Sequence, residues 1–488
     1  MSAQPSTRLL TLVVASALFM ESLVSTVIAT SLAAIAADLQ VDALTLKLAF
    51  TAYFVALAIF IPISGWCADR FGAKTVFAAA IAVFTLSSIA CALAWDLHSL
   101  IAGRFCQGLG GAMMLPVGRL ILLRVIPKRE MVSAMAWLGI PTLFAPILGP
   151  PVGGFITTYY HWRGIFWLNV PVGLIGLALA LWLVPQVRAD TLRPLDWPGF
   201  LLTGLGLSLA IFGFTLLGSH PGSVWVALAM MAAGAALLAL YLRHARRAAH
   251  PIIDLSLLHH ASFRLSLVGG LMFRVSVGAM PFLLPLMLQL GFGMSAFQSG
   301  TLTFTSAVGA VTMKLTAAPI LRRYGFKNVL CGNAWISSAM IASLALFTVQ
   351  TPHAAIIAVL LVGGFFRSLQ FTSLNTLSYA DVEARQLSGA TSLVGVAQQL
   401  SLAAGVAVAA MLLDGSRATD GRSELMAVDF SRAFWAIGLI SLVSVLWYRK
   451  LSPDAGAEMS GHLRAPGEQP DRRKKTSPLF MTATSIRP

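Results

Sequence analysis

Charge is what this chain has least of. Asp, Glu, Lys and Arg together make up 11% of its 488 residues, against about 25% in soluble domains, which excludes a surface made mainly to meet water. Acid is scarcer than base, with 19 Asp and Glu against 34 Lys and Arg. Cysteine is almost missing: Cys67, Cys91, Cys106 and Cys331 stand singly in or beside apolar segments. Their spacing offers neither a disulfide framework nor a zinc site, and they read as small hydrophobes packed between helices. No GxxxxGK[ST] phosphate loop occurs and no soluble domain of size is present to hold one, which argues against ATP-driven work by this chain. No nucleophile–base pair or His/Asp/Glu cluster falls within an apolar segment, so neither an enzyme nor a metal or cofactor site is expected.

What is present is apolar length. Hydrophobic residues make up 57% of the chain, and stretches of about 20 of them, enough to cross a bilayer core of about 30 Å, recur along nearly the whole sequence. In lipid every backbone polar group must be satisfied internally, so only helices or closed barrels can cross. The runs are continuous and rich in Leu and Ala rather than alternating, which selects an all-α membrane protein. Fourteen crossings are expected, centred near Ala17, Ala56, Thr85, Gly111, Ala145, Gly173, Leu207, Gly234, Val277, Val308, Met340, Phe366, Leu402 and Ile440. The first run carries Glu21 and is too long for a signal-peptide core, so it reads as a retained helix.

The formal charge of +15 is a matter of sidedness rather than of nucleic acid. With the N-terminus inside, Lys47, Arg163, Arg417, Arg422 and Arg432 fall outside, and Arg104, Arg119, Arg274, Lys314 and Arg367 stay within crossings. The remaining bases lie on the cytoplasmic side, as in Arg124/Lys128/Arg129, Arg243/Arg246/Arg247 and Arg322/Arg323/Lys327, which is the positive-inside pattern. An even number of crossings leaves both termini in the cytoplasm. Residues 451–488, with the run Arg472-Arg473-Lys474-Lys475, read as a basic, disordered tail.

The loop after the second crossing reads Gly65-Trp66-Cys67-Ala68-Asp69-Arg70-Phe71-Gly72-Ala73-Lys74. Gly65 suits close helix approach, Gly72 a tight turn, and Asp69 a basic partner or a helix N-terminus. This segment resembles the G-x-x-x-D-R-x-G-x-K/R signature of the major facilitator superfamily. Arg104-Phe105-Cys106-Gln107-Gly108-Leu109-Gly110-Gly111-Ala112, Gly149-Pro150-Pro151-Val152-Gly153-Gly154 and the stretch Trp162 to Gly173 resemble further segments of the fourteen-helix drug:proton antiporters of that superfamily. The likeness continues past Asp196-Trp197-Pro198-Gly199 and covers nearly all of the chain except the tail. It implies the major facilitator fold: six-helix bundles at 1–190 and 261–450, and an inserted helix pair within the linker 191–260. It also implies a monomer in the cell membrane, a cytoplasmic gate at Gly65, Asp69, Arg70, Gly72 and Lys74, and a hinge at Gly149, Pro150, Gly153 and Gly154.

Two departures from that pattern stand out. The family's first helix carries L-D-x-T, where this chain has Leu23-Val24-Ser25-Thr26, with Glu21 one turn earlier on the same face. The second-half signature, Pro319 to Lys327, keeps its glycine and bases but has no Asp. Ionisable groups at depth are functional candidates by default. Glu21, the one acid within the crossings, together with Arg104, Arg274 and Arg367, is therefore the expected proton or substrate site. Arg274 or Arg367 is the expected counter-charge of Glu21, while Arg119 and Lys314 are expected to snorkel. The implied function is secondary active export of small molecules of the multidrug type, coupled to protons. Five bases against one acid leave open an exporter of anionic metabolites, and the missing Asp leaves open a sensor or scaffold that no longer transports.

Overall fold

The computed structural model describes residues 7–126, 128–188, 194–217, 224–249, 251–382, 386–422 and 424–462; the side chains of 7–8, 128–137, 139–143 and 388 lie outside that description. The tail run Arg472–Lys475 therefore lies outside the described residues, as does part of the loop that opens the linker. Among the described residues no strand occurs.

The first half comprises α1 (Thr7–Val27), α2 (Leu32–Asp38), α3 (Lys47–Phe60), α4 (Ser64–Phe71), α5 (Ala73–Ala92), α6 (Leu97–Val125), α7 (Lys128–Tyr159), α8 (Gly164–Trp167) and α9 (Asn169–Leu183). The inserted pair is α10 (Trp197–Leu216) and α11 (Val224–Ala245). The second half comprises α12 (Ala261–Leu286), α13 (Ala296–Ser343), α14 (His353–Leu377), α15 (Leu387–Thr419), α16 (Ala427–Val443) and the short α17 (Val445–Tyr448), followed by α18 (Ala457–Ser460).

Twelve helical stretches among the described residues are long and apolar enough to cross a membrane. One of them, Ala296–Leu346, holds 51 residues, which at 1.5 Å each is about 75 Å, more than twice a bilayer core. It is interrupted at Gly325, whose φ of 71° and ψ of 162° are not helical. A further 32-residue helix, α7, lies outside those twelve.

Small residues set the packing. Lipid tails give helices no hydrophobic reason to associate, so close backbone contact through glycine and alanine supplies the attraction. Along α13 and α14, a Cβ placed at Gly309 would run into the carbonyl oxygen of Leu361, and one at Gly364 into that of Ser306. The inserted pair uses the same device at Gly234, where a Cβ would sit 2.6 Å from Ala210 N and 2.7 Å from Gly206 O. One end of the pair is pinned by Asp196. Its carboxylate accepts from Gly199 N at 2.9 Å and from Ile252 N at 3.1 Å, and meets His244 Nε2 at 2.6 Å. α10 also packs against α3 and α15, so the pair touches both halves.

The cysteines are free, as their spacing predicts, but Cys106 is exposed rather than packed. Cys91 is the packed one: a Cβ at Gly103 would lie 2.8 Å from its Sγ.

Gly309→Val should destabilise the fold by about 1–3 kcal/mol through overpacking. The measurement is thermal unfolding of the purified protein beside Gly332→Ala, where an added Cβ meets nothing. Equal melting temperatures for the two variants would refute the tight α13–α14 contact.

Candidate functional site

The signature loop forms a tight junction. Asp69 Oδ1 accepts from Arg124 Nη2 at 2.7 Å, joining the end of α4 to the end of α6. Gly72 has a φ of 93°, which favours glycine. Gln186, in the segment after α9, closes over it: a Cβ at Gly72 would lie 2.5 Å from Gln186 Nε2. Gln186 Oε1 accepts from Lys74 N at 3.1 Å, and Ala73 N donates to Val187 O at 2.8 Å. The close-approach role expected of Gly65 is not realised, since a Cβ there meets nothing within 4 Å. Arg70 is exposed.

The second half repeats this arrangement with different chemistry. Gly325 again has positive φ, and His462, beyond the last crossing, covers it with Cδ2 3.0 Å from where a Cβ would stand. His462 Nδ1 lies 2.9 Å from Arg322 O. Each signature glycine is thus capped by a later segment of its own half, the chain after α9 in one case and the chain after α18 in the other.

At the opposite end the two halves touch directly. The Gly-Pro segment of α7 stays helical through Pro150 and Pro151 and uses its glycines on two faces. Gly149 and Gly153 bring α7 against Thr26, Val27 and Thr30, while Gly154 brings it against the backbone of Ala296 and Phe297. Gly300 of α13 reciprocates against Pro150 O. Charges add to this junction: Lys47 Nζ lies 3.6 Å from Asp414 Oδ2, and Arg417 reaches Asp42 Oδ2 at 2.6 Å and Asp414 Oδ1 at 2.9 Å. Gln289 Nε2 donates to Thr30 O at 3.0 Å across the same boundary.

The membrane-embedded charges separate into two groups. In the first half, Glu21 Oε1 accepts from Tyr53 Oη at 3.2 Å and Oε2 from Ser22 Oγ at 3.5 Å. Arg104 lies over the face of the Tyr53 ring, 4.2 Å from its centroid. Its Nη1 donates to Gln107 Oε1 at 2.5 Å, and Gln107 Nε2 donates to Ser88 Oγ at 2.7 Å. Arg104 and Gln107 are fully buried. Glu21 and Arg104 are therefore linked through one tyrosine rather than paired. Neither Arg274 nor Arg367 is the counter-charge of Glu21. Arg274 Nη2 donates to Asn375 Oδ1 at 2.9 Å, and Arg367 donates to Ser306 Oγ.

Arg367 and Lys314 line a cavity of about 340 Å³ between the halves. Its walls are Thr26 of α1 with Ala29 and Thr30 just beyond it, Pro146, Ile147 and Pro150 of α7, the proline face of α12 at Met280, Pro281, Leu284 and Pro285, and Thr303, Ser306 and Ala310 of α13. Lys314 lines the cavity with an exposed side chain. Glu21 does not line it, being five residues, about 7.5 Å, along the helix from Thr26. Tyr53 and the charge cluster Asp42/Lys47/Asp414/Arg417 were missed in the sequence. Tyr53 carries no charge to flag it, and the cluster joins residues far apart in the chain.

These features belong to a membrane transporter with two helical halves around a central cavity. The Major Facilitator Superfamily profile matches residues 14–242 and 265–481, and the chain belongs to that family. A Haemophilus influenzae protein named "Probable transport protein HsrA" is 36% identical over 435 residues, 89% of this chain and 94% of the relative. A Salmonella typhi protein named "Putative multidrug resistance protein MdtD" is 36% identical over 411 residues, 82% and 85% of the two chains. Among solved structures, a D-xylose-proton symporter aligns with a TM-score of 0.65 at 16% identity, covering 92% of this chain and 98% of that one. An auto-inhibited POT family peptide transporter aligns with a TM-score of 0.61 at 16% identity, covering 94% and 98%.

Asp69→Asn removes the charge partner of Arg124 at a partly exposed pair, so its stability cost should stay below about 1 kcal/mol. Transport turnover should fall several-fold while substrate affinity stays within about twofold. Initial-rate transport beside equilibrium binding makes the comparison. A large loss of affinity at normal turnover would put Asp69 in substrate binding instead.

Proposed function

We propose that this chain is a secondary active exporter of small molecules, of the multidrug type, working by alternating access and coupled to protons through Glu21. The carrying observation is the cavity between the halves, which has direct inter-half contacts at one end and a carboxyl, Glu21, on α1 about one and a half turns from the wall residue Thr26. A cavity shared by two halves that touch at one end favours a transporter over a scaffold.

In this reading the fourteen crossings are the twelve apolar stretches with Ala296–Leu346 divided at Gly325, plus α7. Residues 1–190 and 261–450 form the two six-helix bundles, the linker 191–260 carries the inserted pair, and 451–488 form the tail. Both termini lie in the cytoplasm, the protein sits as a monomer in the cell membrane, and the signature end faces inward. The outer end is then the closed one, held by the α7–α13 contact and by Lys47, Asp414, Arg417 and Asp42. Opening outward has to separate these charges. Breaking a pair as sheltered as Lys47 and Asp414 is costly unless water or another partner replaces the lost contact. Asp69–Arg124 and the capping of Gly72 and Gly325 keep each half rigid, so the halves rock rather than bend.

Glu21 suits a proton carrier for a chemical reason. Its neighbours are hydroxyls, which can donate to the carboxylate and accept from the protonated acid. Arg104 stands behind the Tyr53 ring rather than in contact with the carboxylate, so it does not lock Glu21 in its charged form.

Glu21→Gln keeps the side chain's shape and removes the proton. It should abolish efflux driven by a pH gradient in proteoliposomes while leaving membrane insertion and melting temperature unchanged. Undiminished proton-driven efflux would remove Glu21 as the carrier and leave it a structural partner of Tyr53.

A further inference from the structure

We infer that the cavity between the halves binds an anionic amphiphile, its acidic group held by Arg367 and Lys314 and its apolar body lying on the proline-rich opposite wall. This inference names the substrate class of the transport site proposed above and rests on that reading.

The argument begins with unbalanced charge. Two cationic side chains face one cavity, and among the described residues that line it there is no carboxylate. Three other sheltered cations have evident partners: Arg104 has Gln107 and the Tyr53 ring, Lys47 has Asp414, and Arg417 has Asp42. Arg367 has one described contact, to the hydroxyl of Ser306. A serine hydroxyl satisfies one N–H and neutralises nothing, so the remaining guanidinium donors are free for an acceptor in the cavity. Lys314 has no hydrogen-bond or ion-pair partner among the described residues, and its side chain is exposed.

Two like charges beside one apolar space raise each other's energy, and the repulsion is relieved when an anion enters. A cationic solute meets the opposite sign of the same field. The pair also divides the task by chemistry. Arginine's planar fork matches the two oxygens of a carboxylate or phosphate, and lysine adds a mobile point charge with three donors. The threonine hydroxyls of the wall, at Thr26, Thr30 and Thr303, already donate to carbonyls of their own segments, which leaves the two cations as the free donors.

The rest of the wall is apolar. Pro146, Ile147 and Pro150 face Met280, Pro281, Leu284 and Pro285 across the cavity. A hydrophobic wall with a few convergent polar groups is the usual character of a small-molecule site, and about 340 Å³ falls within the usual size range for one. A small, fully hydrated anion would leave that wall unused, whereas an aromatic or alkyl acid fills both parts.

Isothermal titration on the full chain in phosphatidylcholine nanodiscs tests the inference, with four naphthalene probes that differ only in the head group: 2-naphthoate, 2-naphthyl phosphate, 2-naphthylmethanol and 2-naphthylmethylammonium. The two anions should bind at least tenfold tighter than the alcohol, and the ammonium weakest of all. Arg367→Gln and Lys314→Gln should each weaken naphthoate at least fivefold and leave the alcohol unchanged, while Arg367→Lys should recover part of the loss. If a variant fails to fold, as judged by melting temperature, the order of the four probes on the native protein still decides. Equal binding of all four, preference for the ammonium, or variants that bind naphthoate normally would each overturn the inference. Repeating the titration with phosphatidylglycerol in the disc separates the two sources of an anionic head group. Undiminished naphthoate binding supports a free solute, and its loss would make a lipid head group the occupant and overturn the solute reading. Because the readout is binding, its failure is distinct from a failure of proton-driven export: Glu21-dependent efflux without anion preference sinks only this inference, and anion binding without efflux sinks only the transport reading.

Discussion

A bilayer core offers a peptide group nothing to hydrogen-bond, so each crossing segment must close its backbone bonds within itself, and the rest of this architecture follows from that constraint. Helices that are apolar all round gain little by hiding from lipid, so they associate where their backbones come nearest. Gly309 against Leu361, Gly364 against Ser306 and Gly234 against Ala210 are such places. The same device takes on a mechanical role at Gly149, Gly153, Gly154 and Gly300. There the contact joins two halves rather than two helices of one half, and contacts of that kind are the ones alternating access must break and remake.

The constraint that forbids an unpaired backbone group also penalises an unpaired side-chain charge, and the protein answers that penalty differently in its parts. In the first half the answer is a neutral relay: Arg104 lies on a ring, the ring's hydroxyl serves Glu21, and Gln107 and Ser88 take up an arginine donor. At the closed end opposite charges meet across the boundary. Around the cavity neither answer is used, and Arg367 and Lys314 face open space. Arg274, away from the cavity, reaches Asn375 with one nitrogen and leaves Nε and Nη1 without a hydrogen-bond partner among the described residues.

The two signature loops show how one geometry can be held by unlike residues. Both turns need a glycine with positive φ, and both glycines are covered by a later segment of their own half. The cover is the amide of Gln186 in one case and the ring of His462 in the other. The second signature, Pro319 to Lys327, has no Asp at the place of Asp69. The likeness of the halves thus resides in backbone conformation and connectivity rather than in the residues that do the covering.

The sequence by itself determined the helical membrane class, because hydropathy and the scarcity of charge are summed over the chain and need no partner to be read. It also determined where Gly72 turns and that Glu21, Arg104, Arg274 and Arg367 are the charges to explain, since a buried ion is conspicuous wherever it ends up. It carried the Gly-Pro segment as a place of close contact, but not the identity of what is touched. Only the tertiary structure decided which charges meet. Glu21 found Tyr53 rather than an arginine, Lys314 came to line the same cavity as Arg367, and Asp42 and Lys47 met Arg417 and Asp414 across more than three hundred residues of chain. The physical reason is that a crossing helix fixes the depth of a side chain through its 1.5 Å rise, whereas the direction it faces depends on how the helices rotate and pack, and that is settled by contacts between segments remote in sequence.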